Sequence, residues 1–380
     1  MRRIAIVAGE LSGDALGAPL MAALKRRYPQ VRFEGVGGPR MAAEGLFSLY
    51  PLETLSVMGL TEVLRHLPSL LRIRRDLTRR FLRDPPDCFI GVDAPDFNLG
   101  LERRLRERGI PAVHYVSPTV WAWREGRMKG IARSVSLMLT LFPFEVDVYR
   151  RHGVPVEWVG HPTADRLPVE VDHDAHRAAL GIGDGGPICA LLPGSRTSEV
   201  QRLGPVYADA VRRLAERFPE LRFIAAMATD GLAQVFAERL EEAGVADRVV
   251  LSTSTSEHVL GAADVALVAS GTATLEALLL KTPMVMAYRM APATVWLVRR
   301  LRLMKIRQFA LPNLLAREQL VAEYIQNAAS GENLCDAIAG LLEDDARREA
   351  IRRRFADIHR ALRHDAAECA ADAIVRAVAG

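Results

Sequence analysis

Short apolar runs of four or five residues alternate along the chain with longer stretches in which apolar residues recur at helical spacing. Strands are predicted at 4–8, 32–36, 88–92, 112–116 and 137–141, most ending in a loop rich in Gly, Ser, Asp or Pro. A short strand at 156–159 runs into Gly160-His161-Pro162-Thr163-Ala164-Asp165, and a polar stretch continues to Gly181-Ile182-Gly183-Asp184-Gly185-Gly186-Pro187. A fresh series of strands follows at 188–192, 222–227, 248–251, 265–268 and 284–287. The alternation predicts an α/β fold of parallel sheets with crossover helices, arranged as two Rossmann-like domains. The first is placed at 1–165 and the second at 166–344, with the Ala- and Arg-rich helices of 345–380 packing back on the first. Ligands of such open sheets sit at the carboxyl ends of the strands, so the loops there are where chemistry is sought.

A chain of 380 residues, 49% hydrophobic and 25% charged, is long enough for two cores and has no signature of disorder. Cys88, Cys189, Cys335 and Cys369 form no CxxC pair, which fits reduced thiols in a cytosol. Arg2 and Arg3 lead into an apolar run too short for a secretory signal. No stretch reaches the roughly 18 apolar residues that span a bilayer. A cytoplasmic protein is expected, free to touch a membrane surface. The 50 Lys and Arg residues, nearly all Arg, stand against 46 Asp and Glu. That balance points weakly to nucleic acid, phosphorylated substrates or anionic lipid.

Four loops carry candidate chemistry. Gly9-Glu10-Leu11-Ser12-Gly13-Asp14 follows the first strand and opens a helix, so its glycines permit close backbone approach and the helix terminus attracts anions. It is not GxGxxG, and a plain turn with Ser12 or Asp14 as helix cap fits it too. Glu10, at the strand end, points toward a ligand. The second loop, Gly91-Val92-Asp93-Ala94-Pro95-Asp96-Phe97-Asn98, places two acids after an apolar strand. A fixed carboxylate with a tuning neighbour is what a general base needs. Asp96 also reads as a helix cap, and Asp93 is the better catalytic candidate.

The third loop, Leu192-Pro193-Gly194-Ser195-Arg196, offers backbone N–H groups and a guanidinium to phosphate oxygens. The fourth, Ala269-Ser270-Gly271-Thr272-Ala273-Thr274-Leu275-Glu276, lets a phosphate approach a helix terminus. Glu276 either accepts hydrogen bonds from ribose hydroxyls or complements the helix dipole. Two phosphate-type loops and an acid in one domain suit a nucleoside diphosphate. None of the four loops holds a DxD tripeptide, so no metal bridging the diphosphate is implied, and no cofactor is expected.

These segments resemble the lipid-A-disaccharide synthase family, glycosyltransferases of the GT-B fold. The resemblance is carried by VAGELSGD (7–14), VGGPRM (36–41), VMGLTEVL (57–64), GVDAPDFN (91–98), HYVSPTVWAWREGR (114–127), FPFE (142–145), VGHPTAD (159–165), LLPGSR (191–196), SGTATLEALL (270–279) and LPNLLA (311–316). It implies two facing Rossmann-like domains with a cleft between them. It implies UDP-2,3-diacylglucosamine as donor and the 6-hydroxyl of 2,3-diacylglucosamine 1-phosphate as acceptor, joined with inversion into a β-1′,6-linked disaccharide 1-phosphate plus UDP. The carboxyl half would hold UDP through Gly194, Ser195, Arg196, Ser270, Gly271, Thr272, Ala273, Thr274 and Glu276. The amino half would hold the acceptor and the base, Asp93, with Asp96 or Glu10 in support. Ser12, Gly13, Asp14, His114, Ser117, Trp121 and His161 are candidates for the acceptor side. For Trp121 core anchoring is the alternative, and for His161 hinge packing. Asn313 either reaches the donor or makes a turn after Pro312.

Leu60, Val63, Leu64, Leu67, Leu70 and Leu71 form an apolar stripe at helical spacing, with Arg72, Arg75 and further arginines around or after it. Pro68 predicts a kink or a break there. The stripe fits a core-facing helix, or one that dips into a membrane surface with its arginines on lipid phosphates. Acylated substrates favour the second reading, and 295–305 mixes apolar and basic residues in the same way. The resemblance thus places the chain peripherally on the cytoplasmic face of the inner membrane, with no nucleic-acid partner and its oligomeric state open. The rivals are another UDP-sugar enzyme of this fold, such as a UDP-GlcNAc 2-epimerase, and a non-catalytic basic binding module.

Overall fold

The computed structural model describes residues 1–55, 60–118, 125–183, 185–291 and 308–379. The chain divides into two compact units, Met1–Asp165 with Leu362–Gly380, and Arg166–Ala361. Among the described residues the first unit holds a seven-stranded sheet of β1 (Arg3–Ala8), β2 (Arg32–Val36), β3 (Leu46–Tyr50), β4 (Cys88–Val92), β5 (Ala112–Tyr115), β6 (Leu137–Thr140) and β7 (Val156–Trp158). The strands are parallel and run in the order β3-β2-β1-β4-β5-β6-β7. β1, β4 and β5 are buried along almost their whole length, which is why they read as continuous apolar runs.

Successive side chains of β1 serve opposite layers. Ile4, Ile6 and Ala8 join the cluster formed with Leu20, Met21 and Leu24 of α1 (Leu11–Arg27) and with Ile374 of the helix Ala366–Ala379. Ala5 and Val7 join Ile73, Leu77 and Phe81 of α3 (Leu60–Arg83) and Leu101 and Leu105 of α4 (Pro95–Arg106). A five-residue helix, α2 (Pro39–Ala43), follows β2. Of the kink or break expected at Pro68, the break is absent, since α3 continues through it. Among its described side chains, those that seat it are Ile73, Leu77 and Phe81, further along than the predicted stripe, whereas Leu67 and Leu71 are 41% and 43% exposed. The side chains of Leu60, Val63 and Leu64 lie outside the described residues.

The second unit repeats the plan among its described residues. Its strands are β8 (Ile188–Leu192), β9 (Arg222–Ala226), β10 (Val249–Ser252), β11 (Val265–Ala269), β12 (Met284–Tyr288) and β13 (Ala322–Ile325). They are parallel in the order β10-β9-β8-β11-β12-β13. Strand order therefore reverses beside β1 in one sheet and beside β8 in the other, which makes the loops after β1, β4, β8 and β11 the switch-point loops. β3 and β13 have no counterpart among the predicted strands. Both are sheet edges, and their half-exposed sequences, LFSLY and AEYI, lack the apolar density of an inner strand.

The chain returns to the first unit at Leu362, later than the 345 boundary expected. The helix Asp345–Leu362 stays with the second unit, where His359 is buried beside the ammonium of Lys281. The return is fixed by Asp165, whose carboxylate accepts the N–H groups of His364, Asp365 and Ala366 at 2.9, 3.1 and 2.7 Å. These bonds cap the final helix. Asp165→Ala is expected to lower the stability of the first unit by about 2 kcal/mol, because charge-assisted caps sit at the upper end of such contributions. Chemical unfolding of the two proteins side by side measures it.

Candidate functional site

In the second unit the switch-point loops border a cavity of about 540 Å³ at the carboxyl ends of the strands, lined by Gly194–Arg196, Thr253–Ser256 and Ser270–Ala273, with Glu276 on its wall. Gly194 has φ +131°, and a Cβ there would lie 2.6 Å from Glu199 Cβ, so only glycine fits the turn. Glu199 accepts the Ser195 N–H at 3.1 Å and holds the loop open. The Arg196 side chain is 70% exposed and, among the described residues, only loosely paired with Glu199 at 3.6 Å. Gly271, φ +137°, turns the chain into the helix Thr272–Leu279. Glu276 faces the cavity and accepts the Ser256 hydroxyl at 2.7 Å.

Two predicted donor residues have their side chains engaged elsewhere. Thr274 is buried, donates to Gly271 O at 2.8 Å and accepts from the Leu311 N–H at 3.3 Å. Asn313 is buried and fully bonded: its amide donates to Val321 O and Glu323 Oε1, and its carbonyl accepts the Leu320 and Val321 N–H groups. The cavity wall at Thr253–Ser256 escaped the sequence reading, although the hydroxyl run Ser252-Thr253-Ser254-Thr255-Ser256 follows a predicted strand directly. The one DxD tripeptide of the sequence, Asp172-His173-Asp174, lies away from this cavity, and its Asp172 caps a helix through the Ala175 N–H at 2.9 Å.

In the first unit the loops after β1 and β4 touch. A Cβ on Gly9 would collide with that of Ala94, so glycine is what permits the contact. Asp93 and Ala94 have φ of +52° and +43°, and Val116, after β5, has φ +84°. Left-handed non-glycine residues cost about 1–3 kcal/mol each and gather where a side chain must be aimed. The Asp93 main chain is held at both ends, its N–H on Tyr115 O at 2.8 Å and its C=O by Asn98 Nδ2 at 2.8 Å. Its half-buried carboxylate has no hydrogen bond or ion pair among the described residues. The same holds for Glu10, at the start of α1. Asp96 is exposed and paired with Arg127.

The remaining acceptor-side candidates fall into two groups. Ser12 is exposed beside Glu10, while Gly13 packs closely on Ala8 and Val92 O. Asp14 is buried and accepts the Gly38, Arg40 and Met41 N–H groups at 2.8, 3.0 and 2.9 Å, tying α1 to α2. His114 is buried against Glu102, whose carboxyl is pushed above its ordinary range by burial. The Ser117 hydroxyl is hydrogen-bonded to Tyr149 at 2.8 Å. Trp121, like 295–305, lies outside the described residues. His161 packs on Phe142 with ring centroids 5.4 Å apart and accepts the Thr163 N–H on Nδ1.

Doubly wound units with open switch-point loops are the building plan of the GT-B glycosyltransferases, and the chain adopts that two-domain α/β fold. A UDP-GlcNAc 2-epimerase from Neisseria meningitidis, solved with UDP-GlcNAc bound, superposes with a TM-score of 0.68 at 12% identity, covering 99% of this chain and 100% of that one. WaaG, a glycosyltransferase involved in lipopolysaccharide biosynthesis, gives 0.59 at 13% identity over 98% and 99%. The family model for lipid-A-disaccharide synthetase matches residues 4–374. A lipid-A-disaccharide synthase from Alkalilimnicola ehrlichii is 58% identical over 100% of this chain and 99% of its own length. One from Chromohalobacter salexigens is 53% identical over 98% and 96%. The chain belongs to the lipid-A-disaccharide synthetase family and is a glycosyltransferase.

Burial lowers the His161 pKa from 6.5 to about 4, and nearby Asp165 only partly opposes the shift. Between those values the unfolded chain takes up a proton that the folded chain refuses. The stability contributed is therefore complete above pH 6.5 and lost as the pH falls towards 4, by up to about 1.4 kcal/mol per pH unit. Urea unfolding of His161→Gln should lack this acid-side slope, which the unaltered protein shows.

Proposed function

We propose that the cavity of the second unit holds the UDP moiety of UDP-2,3-diacylglucosamine, and that the first unit holds 2,3-diacylglucosamine 1-phosphate with Asp93 as general base. The observation that carries this reading is the Asp93 carboxylate, which is unpaired among the described residues and sits on a strained turn at the switch point of its sheet. Asp93 takes the proton of the acceptor 6-hydroxyl as its oxygen bonds the anomeric carbon. The bond from that carbon to the β-phosphate oxygen breaks in line, its electron pair leaves with UDP, and the α-linked donor becomes a β-1′,6-linked disaccharide 1-phosphate. Arg196, the Gly194–Ser195 backbone and the amino terminus of the helix Thr272–Leu279 take up the charge growing on the leaving diphosphate. Glu276, oriented by Ser256, accepts from the ribose. Glu10 and Ser12 position the acceptor.

The family's acylated substrates, together with exposed Leu67 and Leu71 beside Arg72 and Arg75, support peripheral attachment at the cytoplasmic face of the inner membrane. Among the described residues no helix is long and apolar enough to cross a membrane. The epimerase reading draws only on a shared fold, whereas relatives at 50% identity and above are synthases.

Asp93→Asn should bind UDP as the unaltered enzyme does and lower kcat by a factor of about 10²–10⁴, the usual share of a general base. Turnover near the unaltered rate would remove Asp93 from that role. Replacing Leu67 and Leu71 by Ser should reduce sedimentation with anionic phospholipid vesicles severalfold at an unchanged melting temperature. Unfolding on that change would instead place both leucines in the core.

A further inference from the structure

Behind the Asp93 turn lies a polar pair that the proposed reaction does not use. His114 of β5 and Glu102 of α4 are both 0% exposed, with Nδ1 and Oε1 2.6 Å apart, so one proton is held between them. Glu102 Oε2 and His114 Nε2 have no hydrogen-bond partner among the described residues. The neighbouring strand is shaped around the pair, because a Cβ on Gly91 would collide with Glu102 Oε1 and press on Asn98. Burying two ionisable groups is not an efficient source of stability, since an apolar pair of similar volume commonly does as well or better. A different role is indicated by what lies on either side of the pair. Tyr115, next to His114 on β5, accepts the Asp93 N–H at 2.8 Å. Asn98, one turn before Glu102 on α4, donates to Asp93 O at 2.8 Å and to Val7 O at 3.2 Å. Asp93 is thus suspended between β5 and α4, and the Glu102–His114 bond joins those two elements directly.

We propose that the Glu102–His114 pair is a positioning strut which sets the distance and register between α4 and β5 and so aims the Asp93 carboxylate. Neither residue touches substrate; both act through the Asp93 backbone. A displacement of about 1 Å at a reacting group costs on the order of 10²-fold in rate, so a loosened strut is visible in kcat before it is visible in binding.

The inference rests on Asp93 as the base, and the test separates the two. Glu102→Gln keeps a donor for Nδ1 and should stay within about threefold of the unaltered kcat. Glu102→Met combined with His114→Leu removes the polar strut while keeping apolar volume. It should melt within a few degrees of the unaltered enzyme, bind UDP equally well, keep the acceptor KM within about threefold and lose kcat by about 10–100-fold. In an Asp93→Asn background the same double change should lower the residual rate by no more than about twofold, because nothing is left to aim. A folded Glu102→Met/His114→Leu enzyme with kcat within twofold of the unaltered value overturns the strut, as does an equal loss in the Asp93→Asn background. If the double variant does not fold, His114→Gln, whose amide reaches the Nε2 rather than the Nδ1 position, replaces it: a kcat loss with UDP affinity kept supports the strut, and an unchanged kcat overturns it. An active Asp93→Asn enzyme would instead defeat the base assignment, whatever the pair variants do.

Discussion

A parallel sheet buried on both faces must hand every strand to a crossover connection, and where strand order reverses two neighbouring connections leave in opposite directions. The crevice opened there is the constraint on which the rest of the molecule depends. In the first unit it lies between β1 and β4, and the chain crowds two loops into it, with Gly9 against Ala94 and Asp93 and Ala94 in left-handed conformations. In the second unit it lies between β8 and β11, and glycines at 194 and 271 with positive φ turn the chain away from the cavity. Among the described residues the first crevice presents an unpaired carboxylate, and the second presents N–H groups and a guanidinium. One plan, used twice, thus supplies groups suited to accepting a proton and to receiving an anion.

Most of this plan was legible in the residue pattern, for physical reasons. Strands such as Cys88–Val92 and Ile188–Leu192 are buried at every position and therefore apolar at every position, and their shortness between turn-forming residues marks them as strands. The edge strands Leu46–Tyr50 and Ala322–Ile325 need no such density and did not stand out. The helix Asp345–Leu362 carries an arginine-rich pattern that does not say which unit will receive its apolar side. The buried placement of His359 beside Lys281 decides that, and it is a tertiary fact.

The site was legible in its loops and much less so in its individual side chains. Glycine positions, acids at strand ends and a phosphate-type turn are local signals, and the loops at 9–14, 91–98, 194–196 and 270–276 were found from them. Whether a polar side chain faces a ligand or closes a turn depends on partners distant in sequence. Asp14 meets the N–H groups of 38–41, Asn313 meets 320–323, and Thr274 meets Leu311. Glu102 was passed over for the same reason: in the sequence it is one charge in Leu101-Glu102-Arg103-Arg104, and only the fold brings it to His114.

We propose that the chain joins two acylated sugars at the expense of a UDP linkage. The direct measurement is mass spectrometry of a reaction containing the purified protein, UDP-2,3-diacylglucosamine and 2,3-diacylglucosamine 1-phosphate. A tetraacyl disaccharide 1-phosphate should appear in equal amount with released UDP, and neither should appear without the acceptor. Consumption of the donor with no disaccharide, or conversion to an isomeric UDP-sugar, would contradict it.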